Sequence, residues 1–297
     1  MTLVFSDLRQ LTLLATSAAL CAAKYIATRT GTLLELQSKS GGDSLASQVV
    51  TEVDVACEKI ILDVLTPSLR LFDIAVLTEE TPDDRSRLVK SHFWCIDPLD
   101  GTLAFSRGKS GYAVSIALVA HTGEPIIGVV ANPVTGDLFS AIVAHGAQKN
   151  GEKLAIVPAV TRKPLTVVYD SHYVDSPAYA TMQNCFIRIA AEAGFARVRT
   201  VTSGGAVLNA LEVVQQGPAC YAKTPKTSDG GGSLWDYAAS ALIVKEAGGW
   251  VSDIFGESLE LNSKDSVYMN RKGILYASGP DLAKIIRREF SASKLSC

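Results

Sequence analysis

Cysteine is sparse and scattered: Cys21, Cys57, Cys95, Cys185, Cys220 and Cys297 include no Cys-x-x-Cys pair. That spacing fits neither a zinc site nor the dense disulfide framework of a small secreted domain, so the six are predicted to be reduced thiols in a cytoplasmic protein. Histidine is scarcer still. His92, His121, His145 and His172 are dispersed and three lie near predicted turns, so surface positions are expected for all but His172, which stays open. Net charge is almost absent, −2 from 28 Lys and Arg against 30 Asp and Glu. Such a chain has no global field for nucleic acid or an anionic membrane, and neither partner is expected. No uninterrupted apolar run approaches the ~20 residues of a membrane span. One segment, Leu11 to Ala23, has the length of a signal-peptide apolar region. However, only Arg9 precedes it, together with acidic Asp7; Leu20 is too large for a lipid-attachment site before Cys21; and the helical pattern continues through Ile26. A packed N-terminal helix is predicted.

What is present is the composition of a soluble globular protein, 47% hydrophobic and 20% charged over 297 residues, about two ordinary domain lengths. Val53, Cys57, Ile60, Ile61, Val64 and Leu65 recur at helical spacing, and Thr51 with Asp54 three residues on predicts a capped start. Short apolar runs at Ile74–Leu77 and Phe93–Ile96 end in acidic residues, the pattern of buried strands emerging at a sheet edge. An antiparallel meander is predicted over Ala113–Ala120, Ile126–Ala131 and Leu138–Val143. Polar Lys149–Pro164 marks the predicted boundary between two halves, 1–157 and 158–297. The second half is predicted to hold strands at Leu165–Tyr169, Ala219–Ala222 and Trp250–Asp253, with helices at Tyr179–Ala193, Ala206–Gln215 and, as the last strong one, Trp235–Ala247. Sheets layered with helices give an α/β fold. The Ser- and Gly-rich loop Gln37–Gln48 is a candidate lid.

The densest chemistry is Asp97-Pro98-Leu99-Asp100-Gly101-Thr102. Pro98 ends the strand and Gly101 permits a tight turn, so two carboxylates and a carbonyl can face one point. Oxygen donors without His or Cys select a hard cation such as Mg²⁺. A surface turn explains this stretch taken alone, a solvated strand end explains Glu79 and Glu80, and a first-turn charge capped by Ser233 explains Asp236. One oxygen-lined metal site explains all three clusters together. Competing motifs fail. Gly108-Lys109-Ser110 lacks the P-loop glycine, since Leu103 stands there, and an EF-hand from Asp97 would meet Leu99 and Gly108 where acidic residues are required. There is no Gly-x-Ser-x-Gly elbow and no His-Glu-x-x-His pair.

These segments, with Trp235-Asp236-Tyr237-Ala238-Ala239 leading to Glu246-Ala247-Gly248-Gly249, resemble the inositol monophosphatase family of metal-dependent, lithium-sensitive phosphatases. Leu77-Thr78-Glu79-Glu80, Pro125-Ile126-Ile127-Gly128-Val129-Val130 and Ser171-His172 are similar to its 3'(2'),5'-bisphosphate nucleotidase branch. The resemblance implies a layered α-β-α-β-α sugar-phosphatase fold that hydrolyses a small phosphomonoester by in-line attack of water, without a phosphoenzyme. It implies two or three Mg²⁺ held by Glu79, Asp97, Asp100, Asp236 and the Leu99 carbonyl, with Asp54 and Thr102 holding and polarising the attacking water and Glu80 as a further catalytic residue. Gly101, Thr102, Ser203 and Gly204 would bind substrate beside the ligands Glu79, Leu99, Asp100 and Asp236. Inositol-1-monophosphatase and fructose-1,6-bisphosphatase activities stay as alternatives, a non-catalytic regulatory role is a further one, and a homodimer is allowed. Two departures bear on substrate: Ser203-Gly204-Gly205-Ala206-Val207 replaces the branch's Gly-Ser-Ser-Leu-Lys, and Ala219-Cys220 stands where inositol phosphatases often carry an acid. Lys223, Lys226 and the loop Thr227–Ser233 are the candidates to meet a second phosphate.

Overall fold

The computed structural model describes residues 3–31, 36–38, 49–156, 163–202 and 204–292. Most of the predicted lid, the predicted boundary at 157/158, Ser203 and the His172 side chain lie outside the described residues. Helix α1 (Phe5–Arg29) is followed by a short antiparallel pair, β1 (Leu36–Ser38) and β2 (Val49–Thr51), and by helix α2 (Glu52–Leu71). Seven strands then form one sheet in chain order: β3 (Ala75–Thr78), β4 (His92–Asp100), β5 (Ala113–Ala120), β6 (Pro125–Ala131), β7 (Leu138–Ile142), β8 (Ala147–Lys149) and β9 (Glu152–Leu154). Only β3 and β4 are parallel. A short helix, α3 (Thr102–Ser106), lies between β4 and β5. The remainder supplies β10 (Leu165–Val168), α4 (Tyr179–Glu192), β11 (Val198–Val201), α5 (Ala206–Gln216), β12 (Ala219–Lys223), α6 (Leu234–Glu246), β13 (Trp250–Ser252), β14 (Ile274–Ala277) and α7 (Pro280–Ala292). Its five-stranded sheet has the order β11-β10-β12-β14-β13, parallel across the first three strands and antiparallel beyond.

The layers follow from which faces are apolar. In β4, Trp94 and Ile96 join Leu11, Ala15, Ala22, Cys57 and Ile61 in the core under α1 and α2, while Phe93 and Cys95 join Val207, Leu211, Ala239 and Ile243 under α5 and α6. Strand β5 splits the same way, Val114, Ile116 and Leu118 against Ala113, Ala117 and Val119. A sheet covered on both faces needs apolar residues at both parities, which is why these strands read as continuous runs. A third core joins β10, β12 and β14 to α4 and α7. The result is α1/α2, sheet, α5/α6, sheet, α4/α7, the predicted α-β-α-β-α stack. Helix α2 starts as predicted: the Thr51 hydroxyl oxygen accepts from Val53 N–H at 3.1 Å, and Asp54 Oδ2 accepts from Thr51 N–H at 2.8 Å.

Several expectations need correction. Lys149 and Glu152–Leu154, assigned to a polar boundary, belong to β8 and to the edge strand β9, three-residue strands whose largely exposed residues carry little apolar signal. Strands β11 and β14 and helix α7 were not anticipated; α7 buries Leu282, Ala283, Ile286 and Phe290 on one stripe. Helix α1 spans 25 residues and is long and apolar enough to cross a membrane by length and composition. Isolated Arg9 and Lys24 break the apolar run without ending the helix, so counting uninterrupted apolar residues understated its length. Its stripe of Ala15, Ala18, Ala19, Ala22 and Ala23 is buried, and small side chains let it lie close against α2. Among the histidines, His121 is exposed and His145 stacks edge-on against Phe5 at 4.0 Å, whereas His92 is half-buried and its imidazole pKa is lowered by burial.

Helix α6, which carries Asp236, lies directly on β6. A Cβ added at Gly128 would stand 2.6 Å from the Ala239 carbonyl oxygen. Gly128→Ala is therefore expected to lower unfolding free energy by about 1–3 kcal/mol through overpacking. Urea denaturation measures it, and an unchanged midpoint would mean that the α6–β6 contact is slack.

Candidate active site

Strand β4 delivers the central turn. Its alternation places Asp97 on the same face as Phe93 and Cys95, toward α6, and the pairing with β5 slips between Asp97 and Asp100. Asp97 Oδ1 accepts from Leu99 N–H at 3.0 Å, an Asx turn that reverses the chain, and Gly101 takes φ +88. A Cβ at Gly101 would stand 2.6 Å from the Gly111 carbonyl, so glycine is required twice over. Thr102, buried, then faces two acceptors: its hydroxyl lies 2.8 Å from Asp54 Oδ1 and 3.0 Å from the Leu99 carbonyl. Asp54 arrives from the first turn of α2, already anchored by Thr51. Three predicted site residues, two from one turn and Asp54 from 48 positions away, thus meet through one hydroxyl.

Asp97, Asp100 and Asp236 each present an oxygen within 4.8 Å of the others. Asp97 and Asp100 are buried, and Asp236, in the first turn of α6, is partly exposed. Burial pushes the Asp100 carboxyl well above the usual carboxylate range, and the charges of Asp236 and Glu79 push it further; burial likewise raises Asp236. Glu79 lies outside the trio, at the end of β3, where its N–H donates to Ile96 O at 3.2 Å beside Asp97. Carboxylates gathered this closely, with Asp236 and Glu79 raising the pKa of Asp100 and with only oxygen donors and no thiolate or imidazole among them, are the set that a hard divalent cation fits. Asp100 is also held from the other side, accepting from Ala206 N–H at 3.1 Å and Val207 N–H at 2.9 Å in the first turn of α5. Gly204 and Gly205 allow that approach: a Cβ on Gly204 would meet the backbone of Gly111 at 2.2 Å, and one on Gly205 the Asp100 carboxylate at 2.3 Å.

Other contributors were not foreseen. Glu58, one turn after Asp54, accepts hydrogen bonds from Thr78, Glu80 and Thr81. Asp170, just past β10, forms an ion pair with Lys223 at 2.7 Å and accepts from Tyr221 OH at 2.7 Å and Asn209 Nδ2 at 2.9 Å. Lys223 is thus no solvated loop charge. Its ammonium sits 5.6 and 5.7 Å from the Tyr221 and Tyr237 ring centres, and its charge lowers the pKa of both Asp100 and Asp236. Beyond it the glycine loop is tethered by Asn270, whose Nδ2 donates to Lys226 O and Ser228 O at 3.2 and 2.9 Å. A thiol nucleophile is not at hand: the five described cysteines are free, Cys57, Cys95, Cys185 and Cys220 are buried, and burial followed by the Asp54 charge pushes Cys57 up to about 12.

The inositol monophosphatase family model matches residues 7–294. Inositol monophosphatase 2 of Solanum lycopersicum is 32% identical over 226 residues, covering 73% of this chain and 78% of that protein. The 3'(2'),5'-bisphosphate nucleotidase CysQ of Escherichia coli O6:H1 is 31% identical over 224 residues, covering 73% and 81%. The crystal structure of extragenic suppressor protein suhB from Bartonella henselae superposes with a TM-score of 0.70 at 25% identity, covering 93% of this chain and 96% of that one. Two enzymes named for different substrates match equally well, so identity alone does not choose between them. What they share applies to this protein: it belongs to the inositol monophosphatase family and is a phosphoric monoester hydrolase.

Proposed function

We propose that the protein is a Mg²⁺-dependent 3'(2'),5'-bisphosphate nucleotidase, converting adenosine 3',5'-bisphosphate to AMP and phosphate. One observation supports the substrate choice: Lys223, at the end of β12, is held by Asp170 at 2.7 Å with its ammonium 5.7 Å from the ring centre of Tyr237, the residue that follows Asp236. A lysine there suits a substrate with a second anionic group, whereas a polyol offers hydroxyls that call for acceptors. Lys226 and the amides of Thr227–Ser233 continue the same rim.

Asp97, Asp100, Asp236, Glu79 and the Leu99 carbonyl would hold the metal. When bound, Mg²⁺ would supply Lewis-acid polarisation of a phosphoryl oxygen and activation of water. Thr102, whose single proton points to Asp54 or to Leu99 O, keeps lone pairs with which to accept from the attacking water. The proton passes through its hydroxyl toward Asp54, with Glu80 assisting at the rim. Amides around Gly101, Thr102 and Gly204 orient the phosphate for in-line displacement. The water oxygen bonds to phosphorus as the P–O bond to the ribose breaks, and the leaving oxygen takes a proton from solvent water to become a hydroxyl.

Asp97→Asn and Asp236→Asn are expected to abolish phosphate release while the protein stays folded, since an amide oxygen can still accept from Leu99 N–H or Ser233 N–H. Wild-type kcat in either variant at saturating Mg²⁺ would remove the assignment. Thr102→Val should lower kcat by ~10² or more with Mg²⁺ affinity nearly intact; an unchanged kcat would take Thr102 out of the reaction. Lys223→Ala should raise KM for adenosine 3',5'-bisphosphate about tenfold, the value of one charge-assisted hydrogen bond, and alter that for inositol 1-phosphate less than twofold. Faster hydrolysis of inositol 1-phosphate or fructose 1,6-bisphosphate by the unmodified enzyme would move the assignment to those activities.

A further inference from the structure

Helix α2 touches the site twice. Asp54 and Glu58 are four residues apart, so they lie on one face of the helix, a turn from each other. Both are buried, 1% and 7% exposed. Asp54 meets the Thr102 hydroxyl at the end of β4, and Glu58 reaches the end of β3, the other strand of the parallel pair. There both of its carboxylate oxygens are used. Oε2 accepts from the Thr78 hydroxyl and from Glu80 N–H at 3.1 Å, and Oε1 accepts from the Thr81 hydroxyl at 2.5 Å. Thr81 N–H in turn donates to Thr78 Oγ1 at 3.2 Å, closing the turn on itself. Glu79 is the residue in the middle of this arrangement. Its own N–H is fixed to Ile96 O on β4, so the turn is clasped between β4 and α2.

We infer that Glu58 is a positioning residue, fixing the turn Thr78–Thr81 so that the Glu79 carboxylate is presented to the cation site formed with Asp97, Asp100 and Asp236. This rests on the metal-dependent reading above. A turn after a strand end has few interactions of its own to select one backbone path, and an acceptor with three converging donors supplies that selection from outside the turn. A carboxylate is suited because it accepts only and satisfies all three donors. Groups that orient a metal ligand in this way change metal affinity by about tenfold or more when lost. Because Asp54 and Glu58 share one rigid helix, the water-handling hydroxyl and the Glu79 turn keep a fixed relation to each other.

The test is Mg²⁺ titration calorimetry on the wild type, Glu58→Ala, Glu58→Gln and Thr78→Val, with kcat measured against Mg²⁺ concentration. Glu58→Ala should raise the Mg²⁺ dissociation constant about tenfold or more, with kcat recovering as Mg²⁺ is raised. Glu58→Gln should stay within about threefold, because its oxygen still accepts from Thr78 and Glu80 while its amide donates to the Thr81 hydroxyl. Thr78→Val keeps the shape and removes one donor to Glu58 together with the acceptor of Thr81 N–H, so its dissociation constant should exceed that of Glu58→Gln. It also decides the matter if Glu58→Ala does not fold. A purely structural Glu58 would lower the yield of folded protein or its melting temperature and leave the Mg²⁺ affinity of the folded fraction unchanged. Wild-type affinity in both Glu58→Ala and Thr78→Val, or in Thr78→Val alone where Glu58→Ala is not folded, overturns the inference and leaves the proposed function standing. A wild-type protein that binds no Mg²⁺ overturns both.

Discussion

The structure is organised around the cost of holding carboxylates together out of water. Asp97, Asp100 and Asp236 converge within 4.8 Å; burial opposes the ionisation of Asp100 and Asp236, and the charges of Asp236 and Glu79 add to it at Asp100. An arrangement of this kind persists only where the surroundings supply donors, and each carboxylate has its own. Asp97 takes the amide of Leu99, Asp100 takes two amides at the start of α5, and Asp236 accepts from Ser233 N–H at the start of α6. Helix N-termini aimed at the cluster lower its electrostatic cost. The rest of the fold can be read as the means of bringing those donors to one point.

That requirement explains the stacking order. The parallel strands β3 and β4 end where the first sheet meets α5 and α6, and β10 and β12 end at the same place from the second sheet. A crevice beyond the carboxyl ends of parallel strands is where backbone groups and helix starts are available to a ligand. The loop before α5 and the turn after β4 approach the Gly111 backbone and the Asp100 carboxylate more closely than ordinary side chains permit, which is why Gly101, Gly204 and Gly205 stand there. Gly205 N–H donates to the Gly111 carbonyl at 2.8 Å, stitching α5 to the segment that leads into β5. A methyl group on Gly101, Gly204 or Gly205 would collide with backbone or with the Asp100 carboxylate.

In the proposed function, substrate choice lies one layer out. The pairing of Lys223 with Asp170, within reach of two tyrosine rings and Asn209, gives the rim a cation that is oriented but partly neutralised. An anionic substituent on the substrate would compete with Asp170 for that ammonium. On the proposed reading, the turn Asp97–Thr102 serves the chemistry and the β10 and β12 ends serve the choice of phosphate ester. Enzymes named for an inositol phosphate and for a nucleoside bisphosphate are equally similar to the chain.

The turn Asp97 to Thr102 was legible in the sequence because its pieces are contiguous: Pro98, Leu99 and Gly101 dictate local geometry whatever surrounds them. The capped start of α2 was legible for the same reason, as were β5 and β6, whose burial on both faces leaves unbroken apolar runs. Strands β8, β9 and β11 were not, being three or four residues long and half-exposed, so neither periodicity nor apolar length marks them. Tertiary structure alone decided the partners. Nothing local to Glu58 announces a hydrogen bond to Thr78 twenty residues on, and nothing near Asp170 announces Lys223. A carboxylate on a helix reads as a solvated charge until the fold shows what it faces. Local steric rules act over a few residues and can be read along the chain, whereas the donors of a buried charge come from wherever the packed layers bring them.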